Sequence, residues 1–293
     1  MFNCTKLIID SYIAHLQSNY LELYGLWNPE YPKILEYCSR IALETVANTD
    51  APYHSITHTV QAAEAGQDIL RGKFLSRGDV SPRDWLHFVI AILCHDIGYV
   101  RGICRGDGVG YYVKDFDGST ISVPRSSTDA ALTPYHVTRS QIFARERFSS
   151  VPVLDADMIA SCIERTRFPV PRDSAYAPGG DYPGLVRAAD LIGQMADMEY
   201  LIKCAALYRE FEETGAAKIL NYKNPEDLRR SYPKFFWAVV RPLIEDALHY
   251  LQVTQEGKQW MNNLFANVFI EEHQIDHPIS GDHGSILASA VLG

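Results

Sequence analysis

The chain has 293 residues, of which 47% are hydrophobic and 22% are charged, and its formal net charge is -9. These proportions are typical of a globular protein and exclude a disordered one. The acidic excess argues against general nucleic-acid binding, because such binding needs clustered Lys and Arg to neutralise phosphates. We find neither an apolar run of membrane-spanning length nor a leader peptide, so we expect no membrane partner and a cytoplasmic location.

Helical periodicity dominates the chain. Apolar residues recur at intervals of three and four, and sustained strand-type alternation is absent. The periodic stretches are 32–48, 55–71, 82–96, 134–148, 155–166, 183–213 and 232–272. Ser81 with Pro82, and Thr133 with Pro134, are residue types that begin helices. The sequence therefore predicts a single all-α domain over residues 1–293, with a core at about 40–210, further helices at 215–275 packed on it, and a tail at 276–293.

Residues 100–130 form a long stretch without helical periodicity that is rich in Gly, Asp and Ser. Loops of this length inside a globular protein are often functional covers. The pair Asp117-Gly118 is a turn signal and predicts a short hairpin within residues 111–123. We expect this loop to close over a bound substrate.

Polar residues occupy several positions that should face the core. His58 stands on the apolar face of its predicted helix, and His95 and Asp96 end the strongly apolar helix 82–96. Asp190 lies on an Ala-rich helical face. A lone inward histidine is most often a core residue with satisfied ring nitrogens, but buried carboxylates need cations. The joint pattern therefore indicates a shared cation.

Imidazole nitrogens and carboxylate oxygens together bind divalent ions. The sequence predicts one ion held by His58, His95, Asp96 and Asp190, which come from three helices. Mn, Fe, Co, Ni, Zn and Mg are each compatible with this mixture of nitrogen and oxygen ligands.

The order of these residues, within "THTVQ", "LCHDIGY" and "AADLIGQMAD", resembles the HD-domain metal-dependent phosphohydrolases. This all-α superfamily includes the cyclic-nucleotide phosphodiesterases, and the similarity covers roughly residues 40–210. The resemblance implies an HD-type helical bundle with the long Gly/Asp-rich loop after the His-Asp motif. It matches His58 to the first metal-ligand histidine, His95 and Asp96 to the name-giving pair, and Asp190 to the last aspartate.

The segment "YHSITH" resembles the "YHNxxH" of the phosphodiesterases, which implies that His54 is a proton donor. Ser55 stands where those enzymes have Asn, so their cyclic-nucleotide specificity does not carry over. Relatives with two metals use further histidines after the His-Asp pair. His136 is therefore a candidate ligand of a second ion bridged by Asp96, and a capping or surface role is its alternative.

Arginines bind phosphate well because the guanidinium is planar, forked and always charged. Arg139 and Arg167 are the candidates for substrate binding, and a solvated surface role is the alternative for each. Further arginines of the same type are Arg101, Arg105 and Arg165.

The resemblance and the predicted shell together indicate a phosphohydrolase in which metal-bound hydroxide attacks a small phosphate ester and His54 protonates the leaving oxygen. The substrate is expected to be a nucleotide or cyclic nucleotide, and a polyphosphate or a simple phosphomonoester also fits. Two alternatives remain open. One is an HD-fold di-iron oxygenase, which needs more histidines, and the other is a non-catalytic regulatory HD module.

Overall fold

A computed structural model describes residues 3–273, so the predicted tail at 276–293 lies outside the described residues. This part of the chain is mostly helical, which confirms the all-α class. Its α-helices are α1 (Cys4–Tyr24), α2 (Tyr31–Val46), α3 (Ile56–Arg77), α4 (Pro82–Cys94), α5 (His136–Phe148), α6 (Ala156–Glu164), α7 (Tyr182–Met195), α8 (Tyr200–Thr214), α9 (Ala216–Ile219), α10 (Pro225–Phe235), α11 (Arg241–Leu251) and α12 (Gln255–Glu272). Across residues 3–273, none of the helices has the length and apolar character needed to cross a bilayer.

Helices α3 and α7 form the centre of the fold and pack closely along each other. Gly193 on α7 permits this approach, because a Cβ there would collide with the backbone of Ala62 on α3. The inward stripe of α3 is buried from His58 through Ala62 to Ile69, as its spacing predicts. Helices α4, α11 and α12 also contact α3, and α11 and α12 contact α7. His58 of α3 and Asp190 of α7, two of the site candidates, therefore lie on closely packed central helices.

Helix α4 begins with a capping box. The Ser81 hydroxyl accepts from the Asp84 backbone N–H at 3.1 Å, and the Asp84 carboxylate accepts from the Ser81 backbone N–H at 3.3 Å. The helix is buried on all sides and ends at Cys94. A 3-10 turn at Ile97–Tyr99 follows, which leaves His95 and Asp96 in the interior.

The loop after α4 contains the predicted hairpin. Strands β1 (Tyr111–Val113) and β2 (Thr120–Ser122) pair antiparallel, with Tyr112 opposite Ile121. Gly118 has a φ of 78°, which suits the turn signal read from Asp117-Gly118.

Two predicted helix boundaries are wrong. Helix α5 begins at His136 and not at Pro134, because residues 129–132 already form a 3-10 turn whose Ala130 carbonyl accepts from the Thr133 backbone N–H at 2.9 Å. The predicted helix 183–213 is two helices, because the Asp197 carboxylate accepts from the Glu199 backbone N–H at 2.9 Å and forms a local turn.

Two further differences from the prediction concern the stretch 232–272 and helix α1. The stretch 232–272 is broken into separate helices by a π-helical segment at Phe236–Val240 and by the N-cap Thr254, whose hydroxyl accepts from the Gly257 backbone N–H at 3.0 Å. The predicted periodic stretches do not include helix α1, although one face of this helix is buried through Ile9, Ile13, Leu16 and Tyr20.

Candidate metal centre

Four side chains meet in the interior, and we call His58, His95, Asp96 and Asp190 the four-residue cluster. Nε2 of His58 lies 3.2 Å from Asp96 Oδ2 and 3.2 Å from Asp190 Oδ1. Nε2 of His95 lies 3.0 Å and 3.4 Å from the same two oxygens. The two Nε2 atoms are 3.3 Å apart. Ligands bound to one ion at roughly 2.0–2.4 Å are themselves about 3–3.5 Å apart when adjacent, so these separations fit a shared ion.

The chemistry of the donor set also fits a cation. His58, His95 and Asp190 alone place their ligand atoms within 4.8 Å of one another, and Asp96 adds a carboxylate. Asp96 Oδ2 is buried, and although two imidazole nitrogens lie 3.0 Å and 3.2 Å away, no hydrogen bond of good geometry reaches it from the described residues. A buried carboxylate oxygen without a donor is costly, and a bound cation would offset that cost.

Backbone contacts orient the ring of His95. Its Nδ1–H donates to the Ile92 carbonyl at 2.6 Å, which leaves Nε2 directed at the cluster. Ligating histidines in proteins are commonly fixed in this way by a second hydrogen bond. The turn from α4 into Ile97–Tyr99 is itself held by Ser140 of α5, whose hydroxyl donates to the His95 carbonyl at 2.7 Å.

The cluster residues shift one another's pKa values in opposite directions. Burial by itself would raise the pKa values of Asp96 and Asp190, but nearby imidazoles, foremost His95, hold both pKa values below their usual range. Burial would lower the pKa values of His58 and His95, and the two carboxylates outweigh it and raise both. The carboxylates are therefore kept anionic, which is the state that a metal ligand requires.

His136 lies beside the second oxygen of Asp96, with its Nε2 3.6 Å from Oδ1. Its Nδ1–H donates to the Thr133 carbonyl at 2.6 Å, and burial lowers its pKa, so the ring is neutral at physiological pH. Gly98 makes this placement possible, because a Cβ there would collide with the His136 carbonyl. Asp96 thus directs one oxygen at His58 and His95 and the other at His136, as a bridging carboxylate would.

His54 is paired with Glu210 of α8, a residue that the sequence analysis missed. Glu210 is buried and accepts from the backbone N–H of Tyr53 at 2.6 Å, from the backbone N–H of His54 at 3.2 Å and from His54 Nδ1 at 2.6 Å. Burial would lower the pKa of His54, but the Glu210 and Asp96 carboxylates raise it to about 9. The signal in the sequence is its position three residues after Leu207, at the edge of the apolar face of α8.

Tyr99 packs against both His54 and His136. Its ring stacks on His54 with centroids 4.4 Å apart and on His136 with centroids 4.5 Å apart. The His54 and His136 centroids are 6.4 Å apart, so the three rings pack as one cluster, which limits the rotation of both imidazoles.

A cavity of about 230 Å³ opens beside the four-residue cluster. Its polar end is formed by His54, Asp96, Tyr99, His136 and Asp190. The rest of the wall is largely apolar and comes from α7, α8, α10 and the segments before α7 and α10. The apolar and aromatic residues of that wall are Phe168, Val170, Leu191, Met195, Tyr200, Leu207, Phe211, Leu220, Tyr222, Leu228, Tyr232 and Phe235.

The predicted substrate-binding role of Arg139 is corrected by its placement. Its guanidinium is fully buried and bound by both oxygens of Asp107, at 3.0 Å and 2.9 Å. It also donates to the Gly98 carbonyl at 2.7 Å and to the Val113 carbonyl at 2.6 Å. Arg139 therefore anchors the loop after α4 and does not line the cavity.

Arg167 does line the cavity. Glu164 accepts from its Nε at 2.5 Å and from a terminal nitrogen at 2.7 Å, so its charge is already paired. The cavity has a second arginine, Arg187, which the sequence analysis did not select. The other arginine candidates bind protein groups outside the cavity: Arg101, Arg105 and Arg165.

Comparison with known proteins gives one match. The family model described as Npun_R2479-like matches residues 2–274, a range that contains the four-residue cluster and the cavity. No curated protein matches the chain, and no solved structure matches it.

Proposed function

The chain belongs to the Npun_R2479-like family, and we propose that it is a metal-dependent hydrolase of small phosphate esters with an HD-type bundle. The observation that carries the proposal is the meeting of His58, His95, Asp96 and Asp190 at 3.0–3.4 Å beside a cavity. The proposal also draws on the likeness of the His…His-Asp…Asp order to the HD-domain phosphohydrolases.

The four-residue cluster would hold a divalent ion, for which Mn, Fe, Co, Ni, Zn and Mg are candidates. When bound, such an ion acidifies water and polarises a phosphoryl oxygen. Asp96 reaches the cavity, and its Oδ1 is directed away from His58 and His95 toward His136. Asp96 would therefore orient the attacking water, and His136 would contribute to a second ion.

His54 supplies the proton for the leaving oxygen. Because Nδ1–H is committed to Glu210, the proton that His54 can release at the cavity is on Nε2. Glu210 keeps this imidazole charged at neutral pH, and Tyr99 holds its plane by stacking. Positioned general acids of this kind contribute roughly 10²–10⁴-fold to the rate.

The test is a substrate panel run on the full-length protein, stripped of metal and reloaded with each candidate ion in turn. The panel holds nucleoside monophosphates, cyclic nucleotides, polyphosphates, and alkyl and aryl phosphomonoesters. We expect hydrolysis of at least one ester, its loss on chelation and its return with metal. The exposed His249→Ala variant is the control and should behave as wild type.

Two results would overturn the proposal. Absence of turnover for every phosphoester after reloading would favour the regulatory HD module. Iron retention with consumption of oxygen and no phosphate release would favour the di-iron oxygenase.

A further inference from the structure

Arg187 is a buried cation that has no carboxylate partner among residues 3–273. Its exposed fraction is 2%. Its terminal nitrogens donate to the Tyr176 carbonyl at 2.8 Å and to the Ala177 carbonyl at 3.3 Å, and its Nε has no partner in this part of the chain. A buried guanidinium without an anion is costly, so its presence in a cavity wall points to an anion supplied by a ligand.

Arg187 lies close to the candidate metal centre. It precedes Asp190 by about one turn of α7, so the two residues lie on one side of that helix. Both line the same cavity. Burial, reinforced by the positive charge of Arg165 and only partly opposed by the more distant Asp181 carboxylate, lowers the pKa of Arg187 to about 10, and the side chain is still charged at neutral pH.

The apolar wall of the cavity indicates which other chemical groups a ligand has. Leu207 and Phe211 of α8 and Tyr232 and Phe235 of α10 line the cavity. The Tyr232 hydroxyl is buried and has no hydrogen-bond partner within residues 3–273. Such a wall favours an aryl or alkyl group, since apolar burial contributes roughly 25 cal/mol per Å².

We propose that Arg187 is the anion-binding residue of this cavity, and that the ligand is an organic phosphoester whose aryl or alkyl group lies against α8 and α10. Arg187 binds non-bridging phosphate oxygens, and the apolar wall selects esters with a hydrophobic group over inorganic phosphate. The identity of the ligand as a substrate rests on the proposed hydrolase function, whereas the binding site rests on the geometry of Arg187.

A purely structural role for Arg187 makes a different prediction, and the chain offers a matched control. Arg187 could act only by tying the segment around Ala177 to α7. Arg165 donates to the same Ala177 carbonyl at 3.1 Å but does not line the cavity. If Arg187 acts only through its hydrogen bond to the Ala177 carbonyl, Arg165→Gln and Arg187→Gln should therefore have similar effects on ligand binding.

The experiment measures binding of phenylphosphonate, an uncleavable anion, to the full-length protein by calorimetry, with and without Mn²⁺. We expect wild type to bind it more tightly than methylphosphonate. Arg187→Gln should weaken phenylphosphonate binding by about 10–100-fold, the usual worth of a charged hydrogen-bonding group, and Arg165→Gln should change it less than about twofold. Melting temperatures check that each variant folds.

If Arg187→Gln does not fold, Arg187→Lys takes its place, because it keeps the charge and loses the forked geometry. It should then weaken phenylphosphonate binding at least about fivefold. Absence of binding to wild type, unchanged affinity in the folded Arg187 variant, or an equal loss in Arg165→Gln would each overturn the inference. Because the readout is binding, a protein that hydrolyses no ester but binds phenylphosphonate through Arg187 would refute the proposed reaction and retain the site.

Discussion

Partly or fully buried carboxylates lie at two places along helix α3, and the pKa values of the two sets are shifted in opposite directions. Near its N-terminus, His58 lies against Asp96 and Asp190, whose pKa values are held below their usual range by imidazoles that outweigh the effect of burial. Farther along the helix, Asp68 accepts one hydrogen bond from Trp260 Nε1 at 2.8 Å. Burial, opposed by that bond and reinforced by nearby acids, raises the pKa of Asp68 to about 6.

The difference shows what distinguishes a candidate metal ligand from an incidental buried acid. Burial disfavours the anion in both places, so burial alone does not mark a functional carboxylate. The cluster near His58 is distinguished by imidazoles whose ring nitrogens face the carboxylate oxygens.

The largest effect is expected from Asp96→Ala. This change removes an ion ligand and the carboxylate that faces His136, so hydrolysis should be abolished and bound metal depleted. Asp68→Ala is the matched control, since it removes a partly buried acid of helix α3 outside the four-residue cluster and should retain both activity and metal. Metal analysis and steady-state rates give the answer, and full activity of Asp96→Ala would refute the mechanism.

His54→Ala separates the proton donor from the metal ligands. The variant should retain its metal and slow an alkyl phosphoester by ~10²–10⁴-fold, because a poor leaving group needs the proton. A nitrophenyl ester, whose leaving oxygen hardly needs protonation, should be slowed much less. Equal losses on both esters with metal retained would remove His54 from the donor role, and metal loss would make it a ligand.

His136→Ala examines the second oxygen of Asp96. If Asp96 bridges two ions, the variant should lose about one ion per chain while the ion of the four-residue cluster remains. An unchanged metal content, measured on the reloaded protein, would reduce His136 to a buried helix-start residue.

Asp68→Asn produces the smallest effect and one that depends on pH. The folded pKa of Asp68 is about 6 and exceeds its usual value of 3.8, so the folded state binds the proton more tightly. Folding stability from this group is therefore present at low pH and is lost as pH rises through about 6.

The Asn side chain keeps an acceptor for Trp260 and carries no charge. Asp68→Asn should consequently match wild type near pH 4 and be more stable above pH 7, by about 1–3 kcal/mol. Thermal unfolding from pH 4 to 8 measures this, and a gain that is constant across the range would disprove the explanation.

Local sequence patterns predict some residues of the candidate site and not others. Inward polar residues on strongly periodic helices, His58 and Asp190 among them, could be found because burial follows from spacing within one helix. Glu210 and Asp107 matter through contacts with His54 and Arg139 that are distant in sequence, and local patterns do not specify such pairs. The sequence consequently predicts a substrate role for Arg139, although Asp107 and three carbonyl groups bind it inside the protein.

Local patterns also do not predict the boundaries of several helices. The Asp197 turn and the π-helical Phe236–Val240 interrupt sequences whose apolar spacing continues through them, so periodicity alone joined neighbouring helices. Helix α1 carries its own periodic apolar face and was within reach of the same reasoning.

The most direct test of the central claim is a crystal structure of the protein loaded with Mn²⁺ or Zn²⁺, with the ion located by its anomalous scattering. We predict one ion with ligand atoms of His58, His95, Asp96 and Asp190 within about 2.0–2.6 Å. An ion bound elsewhere, or a structure in which His58 or Asp190 is turned away from the His95-Asp96 pair, would contradict the account.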